Sequence, residues 1–72
     1  MNLVTILAAL QAVGPVVAQL PQFVAFYREV TALLNEDDQI VAKAALADIQ
    51  ADNDEGHARL QGKLMMAAKR TS

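Results

Sequence analysis

Hydrophobic residues recur at helical spacing along most of the chain, and three such stretches are separated by proline, glycine or a polar run. In the first stretch, residues 3–13, leucines and isoleucines three to four positions apart are joined by alanines, which predicts a helix without a polar face. Gly14 and Pro15 then interrupt the pattern, because proline lacks a backbone N–H and clashes with the preceding turn. The first helix is therefore predicted over 2–13, or to about residue 20 if it only kinks.

A second helix is predicted over 21–34. Pro21 suits the first position of a helix, where its missing N–H costs nothing. Apolar side chains then recur every three to four residues on one face, and these are Phe23, Phe26, Tyr27, Val30, Leu33 and Leu34. The polar run "NEDDQ" indicates a turn and a new helix start, because Asn35 can cap a helix and acidic side chains favour the positive end of its dipole.

One long last helix is predicted over 37–68, about 45 Å in length at 1.5 Å per residue. Its core positions step by threes and fours, as in a coiled coil, and they are Ala42, Leu46, Ile49, Asn53, Gly56, Leu60, Leu64 or Lys63, and Ala67. Asn53 would specify register or oligomeric state, and Gly56 would let a partner backbone come close. A break at "NDEGH" is the alternative, but the continuous helix is favoured because the spacing resumes in phase at Leu60.

These elements predict an all-α chain of two to three helices, in which a helical hairpin ends in a long coiled-coil-like helix. Residues 1–72 form one small domain, and a core of that size is marginal within a single chain. The chain has no cysteine and one histidine, so neither disulfides nor a zinc site can reinforce it. We therefore expect an oligomer whose partners are the chain itself or other helical subunits.

The interface of that oligomer is predicted from the apolar positions of all three helices and from Asn53. The predicted interface residues are Leu3, Ile6, Leu7, Leu10, Phe23, Phe26, Val30, Leu46, Ile49, Asn53, Leu60 and Leu64. Replacement of Leu46 or Leu60 by aspartate is expected to dissociate the assembly, because an unpaired charge would enter a buried contact.

Charge is distributed unevenly along the chain. Residues 1–27 carry no charged side chain, residues 36–55 carry seven acidic ones and one lysine, and residues 56–72 carry four basic ones and no acid. The formal net charge of −2 provides no field that would attract nucleic acid, so we expect no nucleic-acid partner. Within the last helix, Glu55 and Arg59 form a favourable i,i+4 pair.

The uncharged opening has three interpretations. A secretion signal is disfavoured because no basic residue precedes the apolar stretch. A membrane helix needs about 20 apolar residues; residues 3–27 are long enough, but three glutamines interrupt them and acidic residues follow where basic ones are expected. The favoured interpretation is a helical layer covered by other subunits, because a helix without a polar face must be covered on every side.

The sequence "DNDEGH", residues 52–57, is the stretch that most resembles a chemical site. It does not fit a calcium-binding loop, since the glycine and the final glutamate fall at the wrong positions in either register. His57 lacks a nearby serine, threonine or cysteine that could act as a nucleophile. We therefore predict no enzymatic activity, no cofactor and no metal site.

The stretches "LNEDDQ" and "AALADIQADNDEGHARLQGKL", within residues 33–64, follow an uncharged helical opening. In this they resemble the small all-helical proteins encoded in tailed-bacteriophage genomes. The resemblance implies a virion component or a protein of the lysis region. The expected function is a non-enzymatic structural or assembly subunit, such as a minor virion protein, found in the virion or the host cytoplasm.

Two other functions remain open from the sequence. One is a small membrane-active, holin-like protein whose uncharged opening inserts into the inner membrane. The other is an inhibitory or adaptor protein that uses the acidic residues 36–55 to occupy a basic partner, with binding that salt would weaken.

Overall fold

The computed structural model describes residues 2–71, apart from the side chain of Thr71. Its residues form four helices: α1 (Leu3–Ala18), α2 (Pro21–Thr31), α3 (Glu36–Ala51) and α4 (Asp54–Thr71). The all-α prediction is confirmed. The predicted number of two to three helices is wrong, because the region predicted as one last helix forms two helices, α3 and α4.

Helix α1 begins at an asparagine cap and is kinked near its end. The side-chain oxygen of Asn2 accepts a hydrogen bond from the Thr5 backbone N–H at 2.9 Å, which satisfies one free donor of the first turn. At Gly14 the backbone has φ +81° and ψ 173°, a conformation that glycine adopts without the strain a side chain would add. Helical structure resumes at Pro15, so the kinked alternative of the two predicted forms is the observed one.

The predicted continuous helix over 37–68 is wrong. Helix α3 ends where Asp52 adopts a left-handed conformation, with φ 51° and ψ 49°. Asn53 then starts α4, because its Oδ1 accepts a hydrogen bond from the Gly56 backbone N–H at 2.6 Å. The alternative break at "NDEGH" is therefore correct, and Asn53 is a helix cap rather than a residue of a continuous coiled-coil stripe.

Helices α3 and α4 run antiparallel as a hairpin. Asp48 of α3 contacts Arg59 of α4, whereas Asp38, ten residues earlier, contacts Arg70. The start of α3 is capped as predicted, since Asn35 Oδ1 accepts from the Asp38 backbone N–H at 2.8 Å. A helical hairpin is thus present, but it consists of the two halves of the predicted last helix.

The core lies where α1 packs against the α3–α4 hairpin. Apolar side chains from all four helices are buried there: Leu3, Ile6, Leu7, Leu10, Ala18, Tyr27, Ala42, Ala45, Leu46, Ile49, Leu60 and Ala67. Within the single chain α1 is covered on one side only, since Ala8, Ala9, Gln11 and Ala12 are exposed, and its predicted coverage by other subunits stays a prediction. Alanine presents little apolar area, so leaving this face in water costs α1 little.

Candidate interaction site

Helix α2 carries two apolar faces, and only one of them is covered. Tyr27 and Thr31 are its buried residues, and they face the core. Phe26, one position before Tyr27, leaves 61% of its surface exposed. Phe23 and Val30 are half-buried at its side. The apolar stripe predicted for this helix therefore divides into an inner face and an outer face.

An apolar groove runs between the outer face of α2 and helix α1. It encloses about 100 Å³, and we call it the α1–α2 groove. Its lining residues are Thr5, Ile6, Ala9, Leu10, Phe23, Phe26, Tyr27 and Val30. None of these side chains is charged, so the groove suits an apolar occupant.

The twelve predicted interface residues fall into three groups. The buried ones lie in the chain's own core: Leu3, Ile6, Leu7, Leu10, Leu46, Ile49 and Leu60. The half-buried ones are Phe23, Val30 and Leu64. The exposed ones are Phe26 and Asn53. The α1–α2 groove brings five of the twelve together, namely Ile6, Leu10, Phe23, Phe26 and Val30.

Because Leu46 and Leu60 lie inside a single chain, their replacement by aspartate is now expected to unfold the chain rather than to separate intact subunits. Leu60 is 1% exposed and Leu46 is 9% exposed. A carboxylate at either position would be buried without a partner.

A buried carboxylate joins α3 to α4. Asp48, 6% exposed, accepts hydrogen bonds from Arg59 Nε at 3.0 Å and from Lys63 Nζ at 2.5 Å. Burial alone would raise the pKa of Asp48, but the hydrogen bonds and positive charges of Lys63 and Arg59 outweigh it and hold the pKa below its usual value. This ion triad was missed in the sequence, where Asp48 counted only as part of an acidic run. The predicted core positions gave no signal for it, because Ala45, the buried residue one turn before Asp48, was not among them.

The predicted pair of Glu55 and Arg59 is confirmed, with an N–O distance of 3.8 Å. It is solvent-exposed, and such pairs contribute little to stability.

His57 lies 3.6 Å from a carboxylate oxygen of Asp52. Both of those side chains are about half exposed, so this pair is a surface contact beside the turn.

Tyr27 ties the inner face of α2 to α3. Its hydroxyl donates a hydrogen bond to the backbone oxygen of Ala42 at 2.8 Å, and burial raises the pKa of Tyr27 above its ordinary value. The hydroxyl therefore stays protonated in the folded chain at pH values where an unfolded tyrosine ionises.

Replacement of Tyr27 by phenylalanine is expected to lower the free energy of unfolding by about 1 kcal/mol, the usual net contribution of one hydrogen bond. The pH dependence gives a second readout. Since the folded pKa is raised, the stabilisation by Tyr27 is complete below about pH 10, the unfolded value, and is lost as the pH rises above it. Urea unfolding measures the loss of unfolding free energy between pH 7 and pH 10.5, and this loss should be smaller for Tyr27→Phe than for the wild type. Equal losses would contradict the buried hydroxyl.

Three features that often identify a function do not do so in this chain. Among residues 2–71, no group of three or more acidic or histidine side chains is placed to hold a metal ion. Within the same residues, no helix combines the length and the apolar character needed to cross a membrane. No protein-family model, no curated protein and no solved structure matches the chain.

Proposed function

We propose that the chain is a non-enzymatic structural subunit that associates with copies of itself in a helical assembly. The observation that carries this proposal is Phe26, an aromatic side chain that is 61% exposed beside an uncharged apolar groove. Exposed apolar patches of this kind are typical of protein–protein contacts. Phenylalanine is also among the residues enriched where proteins meet.

The other exposed apolar side chains support the same function. Among residues 2–71, eight large hydrophobic side chains are exposed, and five of them lie between residues 16 and 33, namely Val16, Val17, Leu20, Phe26 and Leu33. This part of the chain overlaps the segment without charged residues, which ends at Tyr27. A second copy that covered these side chains would remove apolar area from water at about 25 cal/mol per Å².

The resemblance to small helical proteins of tailed bacteriophages makes a virion, or an intermediate in its assembly, the particle that we propose for this subunit. In that role the α3–α4 hairpin and α1 form the body of each subunit. The exposed apolar surface of α1 and α2 would then connect neighbouring subunits. Partners in this proposal are other copies of the chain or other helical subunits.

The proposal is tested by size-exclusion chromatography with light scattering, on the full-length chain without detergent and over a concentration series. We expect a discrete multiple of the 7.7 kDa chain mass that dissociates on dilution. A mass of one chain at every concentration up to about 1 mM, where even weak binding of about −4 kcal/mol would register, would contradict self-association. Material that stays in solution only with detergent would favour the membrane-active alternative.

A further inference from the structure

We propose that the α1–α2 groove is the docking site for a second copy of the chain, and that Phe26 of each copy enters the groove of the other. This inference rests on the proposed self-association and names the surface that performs it. The groove and Phe26 lie on the same face, because Phe26 forms one edge of the groove.

The polar groups around the groove leave it suited to an apolar side chain. Two of its lining residues carry hydroxyls, and both hydroxyls are bonded elsewhere: Thr5 Oγ1 donates to Asn2 Oδ1 at 3.0 Å, and the Tyr27 hydroxyl donates to the Ala42 backbone oxygen. The groove has about 100 Å³ of free space, several times the roughly 10–15 Å³ that a cavity needs to hold one water molecule. Part of an aromatic ring can therefore enter it without displacing any hydrogen bond within the chain.

A second copy fits this surface better than a charged partner does. No charged side chain lines the groove, so there is nothing in it to recognise an acidic or basic ligand. An exposed ring directly beside an apolar recess makes this surface self-complementary, since a two-fold axis near Phe26 would bring each ring to the other recess. On the α1 side of the groove the exposed lining residue is Ala9, whose small side chain allows another helix to come close.

Few residues of α2 are buried within the chain, which also favours a second copy as the occupant of the groove. Only two residues of this eleven-residue helix are buried within the chain, Tyr27 and Thr31. A helix that short is marginal alone and depends on packing for its stability. Contact of its outer face with a second copy would cover Phe26 and complete the burial of Phe23 and Val30.

The test compares Phe26→Glu with Met65→Glu by sedimentation equilibrium. Both native side chains are exposed to a similar extent, 61% and 56%, and glutamate is a good helix former. Each dimer contains two Phe26 rings, so we expect Phe26→Glu to raise the dissociation constant about a hundredfold or more. Met65→Glu, on α4, is expected to leave it within about twofold.

A second pair of variants tests the recess without touching the ring. Ala9 lines the groove and Ala8 does not, although both are exposed on α1. We expect Ala9→Glu to weaken the dimer at least tenfold, roughly the effect of 1.4 kcal/mol, and Ala8→Glu to weaken it far less. If circular dichroism shows that Phe26→Glu has lost its helices, this second pair of variants still tests whether the groove is the docking site.

The possible results test the docking site and the self-association of the chain separately. A wild-type chain that is monomeric at all concentrations would overturn both. A wild-type oligomer that is unchanged in folded Phe26→Glu and Ala9→Glu variants would overturn the docking site and leave self-association standing. Loss of the oligomer in both variants, with Met65→Glu and Ala8→Glu intact, is the result that we expect.

Discussion

Replacement of Gly56 by alanine is expected to destabilise the fold by about 2 kcal/mol, although the same change at an ordinary helix position stabilises by about 1 kcal/mol. An added Cβ would collide with the backbone oxygen of Asp48 and lie 3.1 Å from Asn53 Oδ1. Backbone cannot move aside as a flexible side chain can, so α4 would have to shift away from α3. Urea unfolding followed by circular dichroism measures the effect.

Gly62 provides the matched control in the same helix. A Cβ added there meets no atom within 4 Å. Gly62→Ala should therefore raise the free energy of unfolding by about 0.5 to 1 kcal/mol through helix propensity alone. The two substitutions are expected to change the free energy of unfolding in opposite directions, and this difference tests the close approach of α4 to α3. If both variants were more stable than the wild type, that close approach would be contradicted.

The loss at Gly56 is large for a chain of this size. At roughly 0.05 to 0.15 kcal/mol per residue, 72 residues amount to about 4 to 11 kcal/mol. A loss of about 2 kcal/mol changes the ratio of folded to unfolded chains about thirtyfold. Gly56 was predicted to admit a partner backbone. That backbone belongs to α3 of the same chain, which explains why the residue affects folding.

Apolar periodicity identified most of the core but not the reversal of the chain. Ile49 and Leu60 are core residues either in one continuous helix or in two antiparallel helices, so the spacing alone cannot distinguish these folds. The distinction depends on Asp52 in a left-handed conformation, which is uncommon for residues other than glycine. The position of Asn53 in an apolar pattern favours a register role, whereas its side chain caps α4.

The candidate interaction site could be predicted only in part. The sequence places Phe26 and Tyr27 side by side on one apolar stripe and does not say which of them faces inward. Tertiary contacts decide this, because the Tyr27 hydroxyl reaches the Ala42 backbone oxygen and turns Phe26 outward. The partners of Asp48 could not be predicted either, because Arg59 and Lys63 reach it only when α4 packs antiparallel to α3. The lengths of the helices could not reveal either contact.

Replacement of Asp48 by asparagine is expected to lower the free energy of unfolding by about 2 kcal/mol at pH 7, within the range for hydrogen bonds to charged groups. The substitution keeps the side-chain shape and removes the negative charge that holds Arg59 and Lys63. The loss should stay below the 3–5 kcal/mol typical of a broken buried pair. Arg59 is 51% exposed, so its guanidinium can turn into water instead of remaining buried without a partner.

The pH dependence distinguishes a charged Asp48 from a merely buried one. Because the pKa of Asp48 is lower in the folded chain, its stabilisation is fully present above about pH 4, the unfolded value, and is lost as the pH falls through the folded pKa. The difference in unfolding free energy between wild type and Asp48→Asn should therefore be constant from pH 7 to pH 5 and shrink below pH 4. Urea unfolding over a pH series measures it.

Asp52→Asn is the control, because that carboxylate is exposed and pairs only weakly with His57. Asparagine also tolerates the left-handed conformation found there. Its unfolding free energy should stay within about 0.5 kcal/mol of the wild type at pH 7. A difference for Asp48→Asn that persists unchanged to pH 2 would mean that the triad does not depend on the charge of Asp48. In that case shape and hydrogen bonding alone would join α3 to α4, and the lowered pKa of Asp48 would be contradicted.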